Sequence, residues 1–400
     1  MRLAAALLIF ALAAEPCVVS PIRKVWAKKP GSESNLFAFE RDGRVGFIDS
    51  SGKVVIQPTI EAQIEDVGDF SNGRARVASY GYIDETGKWI IRGDYWYLFD
   101  FSDGLALVNI YDPNQKNVQQ FVLDPAGAAV TKLPTSRAGE FSEGLAPFEA
   151  EGKPGVRNLH PGAFLYRDYP GFKGFLDRTG GVAIEPAFAD VGSFVHGLAR
   201  AVLDGYCHVA TSWGGRLGTP TTGSPGDCGF APDDAVSPCK VGFINREGKF
   251  AIEPWFESAL DFQEGFAAVR LGGLWGFIDT NGSVVIPPRF ERAQSFQEGF
   301  AAVQVGGKWG LIDKTGILII SPRFEAVEGF SESLAIAHQH QRSFYIDRTG
   351  HTRIKGPFRE ATPFVHGLAA VLLSQTHVAY INPAGKTVFD YDRRRVKSFF

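Results

Sequence analysis

The stretch WGFIDTNGSVVIPPRFERAQSFQEGFAAVQVGGK, from Trp275 to Lys308, is followed at once by WGLIDKTGILIISPRF, which starts the same text again. Gly242, Gly276 and Gly310 fall 34 residues apart. A period of this size marks a chain of supersecondary units, because one such unit cannot bury its apolar face without a neighbour. The 400 residues therefore read as one repeat body instead of two or three independent domains.

Two signatures carry the repeat. The first is an aliphatic residue, Asp or Asn, two residues and Gly; it recurs at nine places, from Ile48-Asp49-Gly52 through Ile278-Asp279-Gly282 to Ile381-Asn382-Gly385. Asp or Asn at the first position of a β-turn accepts hydrogen bonds from the amides that follow, and Gly at the fourth accepts positive φ. GFID and VVIP are thus the two arms of a hairpin. The second signature, Phe, two residues, a small residue, one more and Ala, recurs at eight places, from Phe70-Ala75 through Phe262-Ala267 and Phe296-Ala301 to Phe364-Ala369. Eight joints are what nine units require. Each unit reads as a meander of three antiparallel strands with Val269 opposite Gly276, and Pro58, Pro186, Pro254, Pro288 and Pro322 end the third strand because proline has no amide to donate.

The fold class is all-β: nine three-stranded meander units with a period of about 34. Nine units exceed the roughly four to eight blades usual in propellers, and three strands are one fewer than the usual four. The first and last units also look complete, with no spare strand to lock a ring. The expectation is an open or spiral stack, with a closed propeller-like ring as the alternative.

Outside the array, residues 1–14 (MRLAAALLIFALAA) have the form of a secretory signal peptide cut near Ala13 or Ala14. The apolar run falls short of the roughly 20 residues needed to span a bilayer, so no membrane span is expected. Residues 15–34 read as a linker, 35–391 as the array, and 392–400 as a basic, aromatic tail. The mature chain is expected to be secreted or periplasmic. Its 41 Lys and Arg against 44 Asp and Glu leave no electrostatic footprint for nucleic acid. Cys17, Cys207, Cys228 and Cys239 suit an oxidising compartment as disulfide candidates, in any of three pairings. Cys207 lies near the base of its insertion, where Cys239 would close it and leave Cys228 for Cys17. A zinc site would want CxxC or regularly spaced His, and only His208 is close.

The motifs WGFID, WGLID, GKWG, VIPPRFE and FQEGFAAV resemble the WG-repeat (KWG-repeat) family, and the resemblance covers nearly the whole mature chain. It implies a β-rich repeat scaffold and no general catalytic signature. Trp stands before Gly only at Trp275 and Trp309; Val45, Tyr80, Gln120, Lys173, Val241, Ser343 and Val378 occupy the equivalent places. A binding code of one Trp per repeat is therefore excluded.

No constellation compels chemistry. Gly46 to Gly52-Lys53 imitates a phosphate loop but has five intervening residues, no following Ser or Thr, and a strand where a helix is needed. Asp279-Thr280-Asn281-Gly282 mimics part of a calcium loop yet sits at the repeat turn and lacks the distal Glu. His338, His340 and His351 would offer three metal ligands, but alignment puts His338 and His340 at a hairpin tip, a solvated turn. His196 and His366 stand where Glu264 and Glu298 stand in other units, which indicates a structural role. No cofactor and no metal are implied.

What breaks the repeat points to function. Insertions at about 152–172 and 204–239 enlarge the turn between the first and second strands of consecutive units, so in a regular stack they emerge side by side. Their Tyr166, Tyr169, Phe172, Tyr206 and Trp213 are aromatics of the kind enriched at interfaces. The reading is an exported, non-catalytic scaffold that binds a protein or a cell-envelope polymer. The alternative is an extracytoplasmic hydrolase using carboxylates such as Asp168 and Asp234 in the same loops.

Overall fold

The computed structural model describes residues 34–135, 137–150, 172–202 and 240–393. Among them are nine small antiparallel sheets and no α-helix. The sheets form a ring, a nine-bladed β-propeller. Blades 1 to 9 cover residues 37–60, 67–92, 97–132, 138–188, 190–256, 258–290, 292–324, 326–358 and 360–392. Blade 6 shows the plan: strands Ser258–Ala259, Phe266–Leu271, Leu274–Asp279 and Val284–Phe290 pair in chain order.

The sheets of blades 1, 2 and 4 have the expected three strands, whereas the other six blades have four, which corrects the meander of three there. The segment after Pro-x-Phe-Glu does not merely cross to the next unit; its two residues pair as that unit's first strand, Ser258 with Arg270 and Ala259 with Val269. Sequence patterning misses it because two residues show no alternation. Val269 faces Gly276 as expected.

The prolines do not end the last strand either. Val284–Phe290 runs through Pro287 and Pro288, with Trp275 opposite Phe290 but Phe277 opposite Ile286 and Ile278 opposite Val284. The bulges absorb the extra residues, and an outer edge strand loses little from a missing amide. They also explain the glycine of each WG-like pair. A Cβ on Gly276 would stand 2.5 Å from the Ile286 carbonyl oxygen and 2.7 Å from the Pro288 nitrogen, and Gly46 meets Ile56 and Pro58 alike.

The turns behave as the residues dictate. Asp279 Oδ1 accepts from the amides of Asn281 and Ser283 at 2.9 and 2.8 Å, and Gly282 takes φ +82°. Blade-to-blade packing rests on aromatics. The third-strand ring of one blade meets the joint Phe of the next: Phe47 with Phe70, Phe175 with Phe194, Phe243 with Phe262 and Phe277 with Phe296, with centroids 4.6–5.0 Å apart. The turn glycine of each blade also seats on the last strand of the blade before it: Gly87 on Ile56, Gly282 on Ile252, Gly385 on Ile354.

Similar contacts join blade 9 to blade 1, so the array is the closed ring given as the alternative and not the open stack. Gly52 seats on Val388. Tyr380 packs on Phe37 with centroids 5.5 Å apart and donates its hydroxyl to the Ala38 carbonyl oxygen at 2.7 Å. One apolar cluster runs from Leu36–Ile83 to Leu368–Tyr391. Among the described residues no strand is exchanged between blades 9 and 1, and packing across the seam joins them.

Replacing Gly276 with Ala is expected to cost about 1–3 kcal/mol through overpacking, at ordinary φ and with no polar group altered. A lowered thermal midpoint checks this; an unchanged midpoint would refute the crowding account.

Candidate functional site

Strand order divides the ring into two faces. The turn between strands one and two and the Asp-Gly turn between strands three and four lie on one face. The hairpin between strands two and three and the crossing to the next blade lie on the other. On the first face, joint residues staple each blade to its successor. Glu264 accepts from the Gly299 amide at 3.0 Å and pairs with Lys314 at 3.1 Å, and Glu298 accepts from the Ser333 amide and pairs with Arg348. Glu264 and Glu298 take positive φ to do so. Seam duty thus occupies the repeated joint glutamates.

On the hairpin face, the crossing glutamates brace the short tips: Glu257 accepts from the Gly272 and Gly273 amides, and Glu291 from those of Gly306 and Gly307. Blades 3, 4 and 5 depart from this pattern. In blade 4, Glu149 pairs with Lys173 across the first insertion; in blade 5, Val202 pairs with Val241 across the second. Both insertions therefore root at the same hairpin of neighbouring blades, on one face. Tyr166, Tyr169, Tyr206 and Trp213, the four cysteines, and Asp168 and Asp234 lie outside the described residues. Phe172 lies at the first root, exposed, with its carbonyl oxygen accepting from the Ala150 amide.

Blade 3 supplies what the sequence reading missed. Its strands Ala106–Asp112 and Asn117–Leu123 pair two residues further than those of blade 6, so the hairpin projects by roughly 7 Å at about 3.3 Å per residue. Trp96, at the crossing, and Tyr111, near the tip, are 51% and 44% exposed, with rings 5.6 Å apart at 34°. The signal was present: Tyr80 and Gln120 are 40 residues apart where the repeat allows 34.

Beneath the two insertion roots runs a chain of charges through blades 4, 5 and 6. Lys173 Nζ meets Asp190 Oδ1 at 2.5 Å, Arg200 meets Asp190 Oδ2 at 3.0 Å, and Arg200 Nε lies 3.5 Å from Asp261 Oδ1. Burial raises the Asp190 carboxyl, but Arg200 and Lys173 outweigh it and hold the group below the usual range. Burial pushes Asp261 above the usual range against the pull of Arg200. The Asp261 side chain is 43% exposed, yet Oδ1 is buried without a hydrogen bond, so the exposed remainder does not solvate it.

A Ser–His–Glu relay occurs in blade 8. Ser343 Oγ lies 3.1 Å from His338 Nδ1, and His338 Nε2 lies 3.0 Å from Glu328 Oε1. This corrects the placing of His338 at a solvated tip: it sits within the strand Ala335–Gln339, opposite Ser343. Ser343 is 2% exposed and stands where Trp309 stands in blade 7. A nucleophile needs a path to substrate, so the relay is read as polar filling of a seam built for indole. His351 lies in the Asp347 turn, on the opposite face, so the three histidines do not converge. The relay stays within blade 8, whereas other polar residues at the Trp position bridge to the next blade: Gln120 exchanges hydrogen bonds with the backbone of Ala138, and Lys173 reaches Asp190.

Comparison with known proteins fits this geometry. The family model described as WG containing repeat matches residues 46–78, 80–112, 174–207, 242–275, 275–309, 309–339 and 344–374. No curated protein matches the chain. Among solved structures, one described as a crystal structure of the eukaryotic initiation factor superposes with TM-score 0.57 at 10% identity, covering 90% of this chain and 96% of its own. The β-propeller domain of the Trilobed protease from Pyrococcus furiosus gives 0.36 at 10% identity, over 83% and 98% of the two chains. BamB from Moraxella catarrhalis gives 0.31 at 11%, over 89% and 81%. At 10% identity the first of these speaks to the fold alone, and the other two carry no argument. No helix among the described residues is long and apolar enough to cross a membrane.

Asp190→Asn is expected to cost about 3–5 kcal/mol at neutral pH by stranding Lys173 and leaving Arg200 only the longer contact to Asp261. Asp261→Asn is expected to cost far less, since Arg200 keeps Asp190. A depressed folded pKa stabilises above the unfolded value of about 3.9 and ceases to do so as pH falls through the folded value. The Asp190→Asn deficit in urea midpoint is therefore expected to shrink below pH 4; a deficit that does not change with pH would show that packing, not charge, is lost.

Proposed function

The chain belongs to the WG-containing repeat family, and from that premise we propose that it is an exported, non-catalytic scaffold that binds a protein or a cell-envelope polymer through the hairpin face of blades 3 to 5. One observation carries this reading. Three consecutive blades enlarge the same hairpin, whereas blades 6 and 7 close it with Gly-Gly tips. Repeat scaffolds build recognition surfaces by such local enlargement on one face. Support of a second kind is that carboxylates in the described repeats, Asp279 and Glu264 among them, have turn and seam duties. Export is proposed from the signal-like residues 1–14 and the cysteine usage.

The test replaces residues 205–238 with a Gly-Gly tip copied from blade 6 and compares cross-linked capture from the native envelope with that of the intact chain. A specific partner held by the intact chain and lost by the exchange variant is the expected result. Recovery of the same partner by both would remove the blade 5 insertion as the reader.

A further inference from the structure

We propose that Trp96 and Tyr111 form a carbohydrate-binding ledge that takes a β-linked pyranose chain. This rests on the hairpin face being the binding face and names the ligand class for blade 3. Large aromatic rings left half in water need a reason, since each forfeits the burial that drives folding. These two lie in contact where the crossing that carries Trp96 meets the projecting hairpin that carries Tyr111. Trp255, also exposed, lies instead in the outer strand Phe250–Phe256.

The ledge is held in place from behind. The Trp96 amide donates to the Asn109 carbonyl oxygen at 2.8 Å, and Tyr111 is laddered to Val118. Asp112 Oδ1 accepts from the Asn114 and Gln115 amides, and its Oδ2 accepts from Gln119 Nε2 at 3.0 Å. Asn117 Nδ2 and Gln119 Nε2 both donate to Gln115 Oε1. The tip is therefore a braced frame, and little ordering entropy remains for a ligand to offset.

The chemistry around the rings favours a sugar. A pyranose offers one face of C–H groups to an aromatic ring and a rim of hydroxyls that donate and accept. The ledge offers two half-exposed aromatic rings, and the tip of the same hairpin carries the exposed amide side chains of Asn114, Gln115 and Asn117. Two rings in succession suit two successive sugar rings of one chain. A protein hot spot would instead call for aromatics at the centre of a wider dry patch, and here the neighbours are amides and charged groups. Tyr80, another exposed ring, flanks the ledge: its carbonyl oxygen accepts from the Gly93 amide.

The test uses the full chain with cellohexaose and chitohexaose in calorimetric titration, and with purified cell-wall sacculi in co-sedimentation. The intact chain is expected to bind at least one of them. Trp96→Ala is expected to bind about tenfold more weakly, the worth of one aromatic contact, with Trp96→Phe in between. Both changes are at an exposed side chain, so an unchanged thermal midpoint separates lost binding from lost folding. The variant with residues 205–238 exchanged is expected to keep glycan affinity, so failure of the insertion as partner reader and failure of the ledge register separately. No binding of any glycan by the intact chain, or equal binding by Trp96→Ala, would overturn the proposal; so would a protein partner lost on Trp96→Ala while every glycan is ignored.

Discussion

The structure depends on one packing event repeated around a circle: a third-strand side chain of one blade, aromatic except at Val122 and Leu311, set against the joint Phe of the next. Phe277 on Phe296 is the type, and both side chains are fully buried. A small sheet has two apolar faces and no core of its own, so each blade is stable only between neighbours. The seam therefore specifies the ring as well as the blade. Among the described residues the ring is joined at its seam by a variant of this relation, Tyr380 of the third strand of blade 9 set against Phe37 on the strand Phe37–Arg41 of blade 1.

Around that constant, the seams vary in a correlated way. Where the joint residue is a carboxylate, the next blade often supplies a base: Asp103 with Arg178, Glu143 with Arg246, Glu264 with Lys314, Glu298 with Arg348. Where the joint residue is Asn72 or His196, a more interior Arg–Asp pair crosses the seam instead, Arg76 with Asp100 and Arg200 with Asp261. The two arrangements do the same mechanical work from different sides. The interior one carries the larger desolvation cost, and in blades 5 and 6 it leaves Asp261 Oδ1 without a hydrogen bond. The seam with the costlier arrangement lies next to the insertion roots, where the hairpins have been given over to other residues.

The division of labour between faces follows from connectivity alone. Joint turns and Asp-Gly turns share one face and are engaged with neighbouring blades, so variation there loosens the ring. Hairpin tips on the other face touch little beyond their own crossing glutamate. Lengthening them in blades 3 to 5 leaves the seams intact, so this face can vary where the conspicuous repeated acids of the other face cannot.

The repeat, the hairpin turn chemistry and the common position of the two insertions were legible in the sequence, because each is a local pattern: Asp279 and Gly282 fix their turn whatever surrounds them. Two residues such as Ser258 and Ala259 carry no periodicity, so the fourth strand was invisible, and with it the best argument for a propeller. Trp96 and Tyr111 were missed because they are 15 residues apart in the chain and meet only when the crossing and the long hairpin are folded together. His338 looked like a turn residue until the ladder placed it opposite Ser343. The sequence by itself determined the unit and its count, since turn chemistry and alternation act over a few residues. Tertiary structure alone decided that the array closes, because closure depends on the angle between blades, which accumulates from side-chain volumes at every seam and is written in no single one of them.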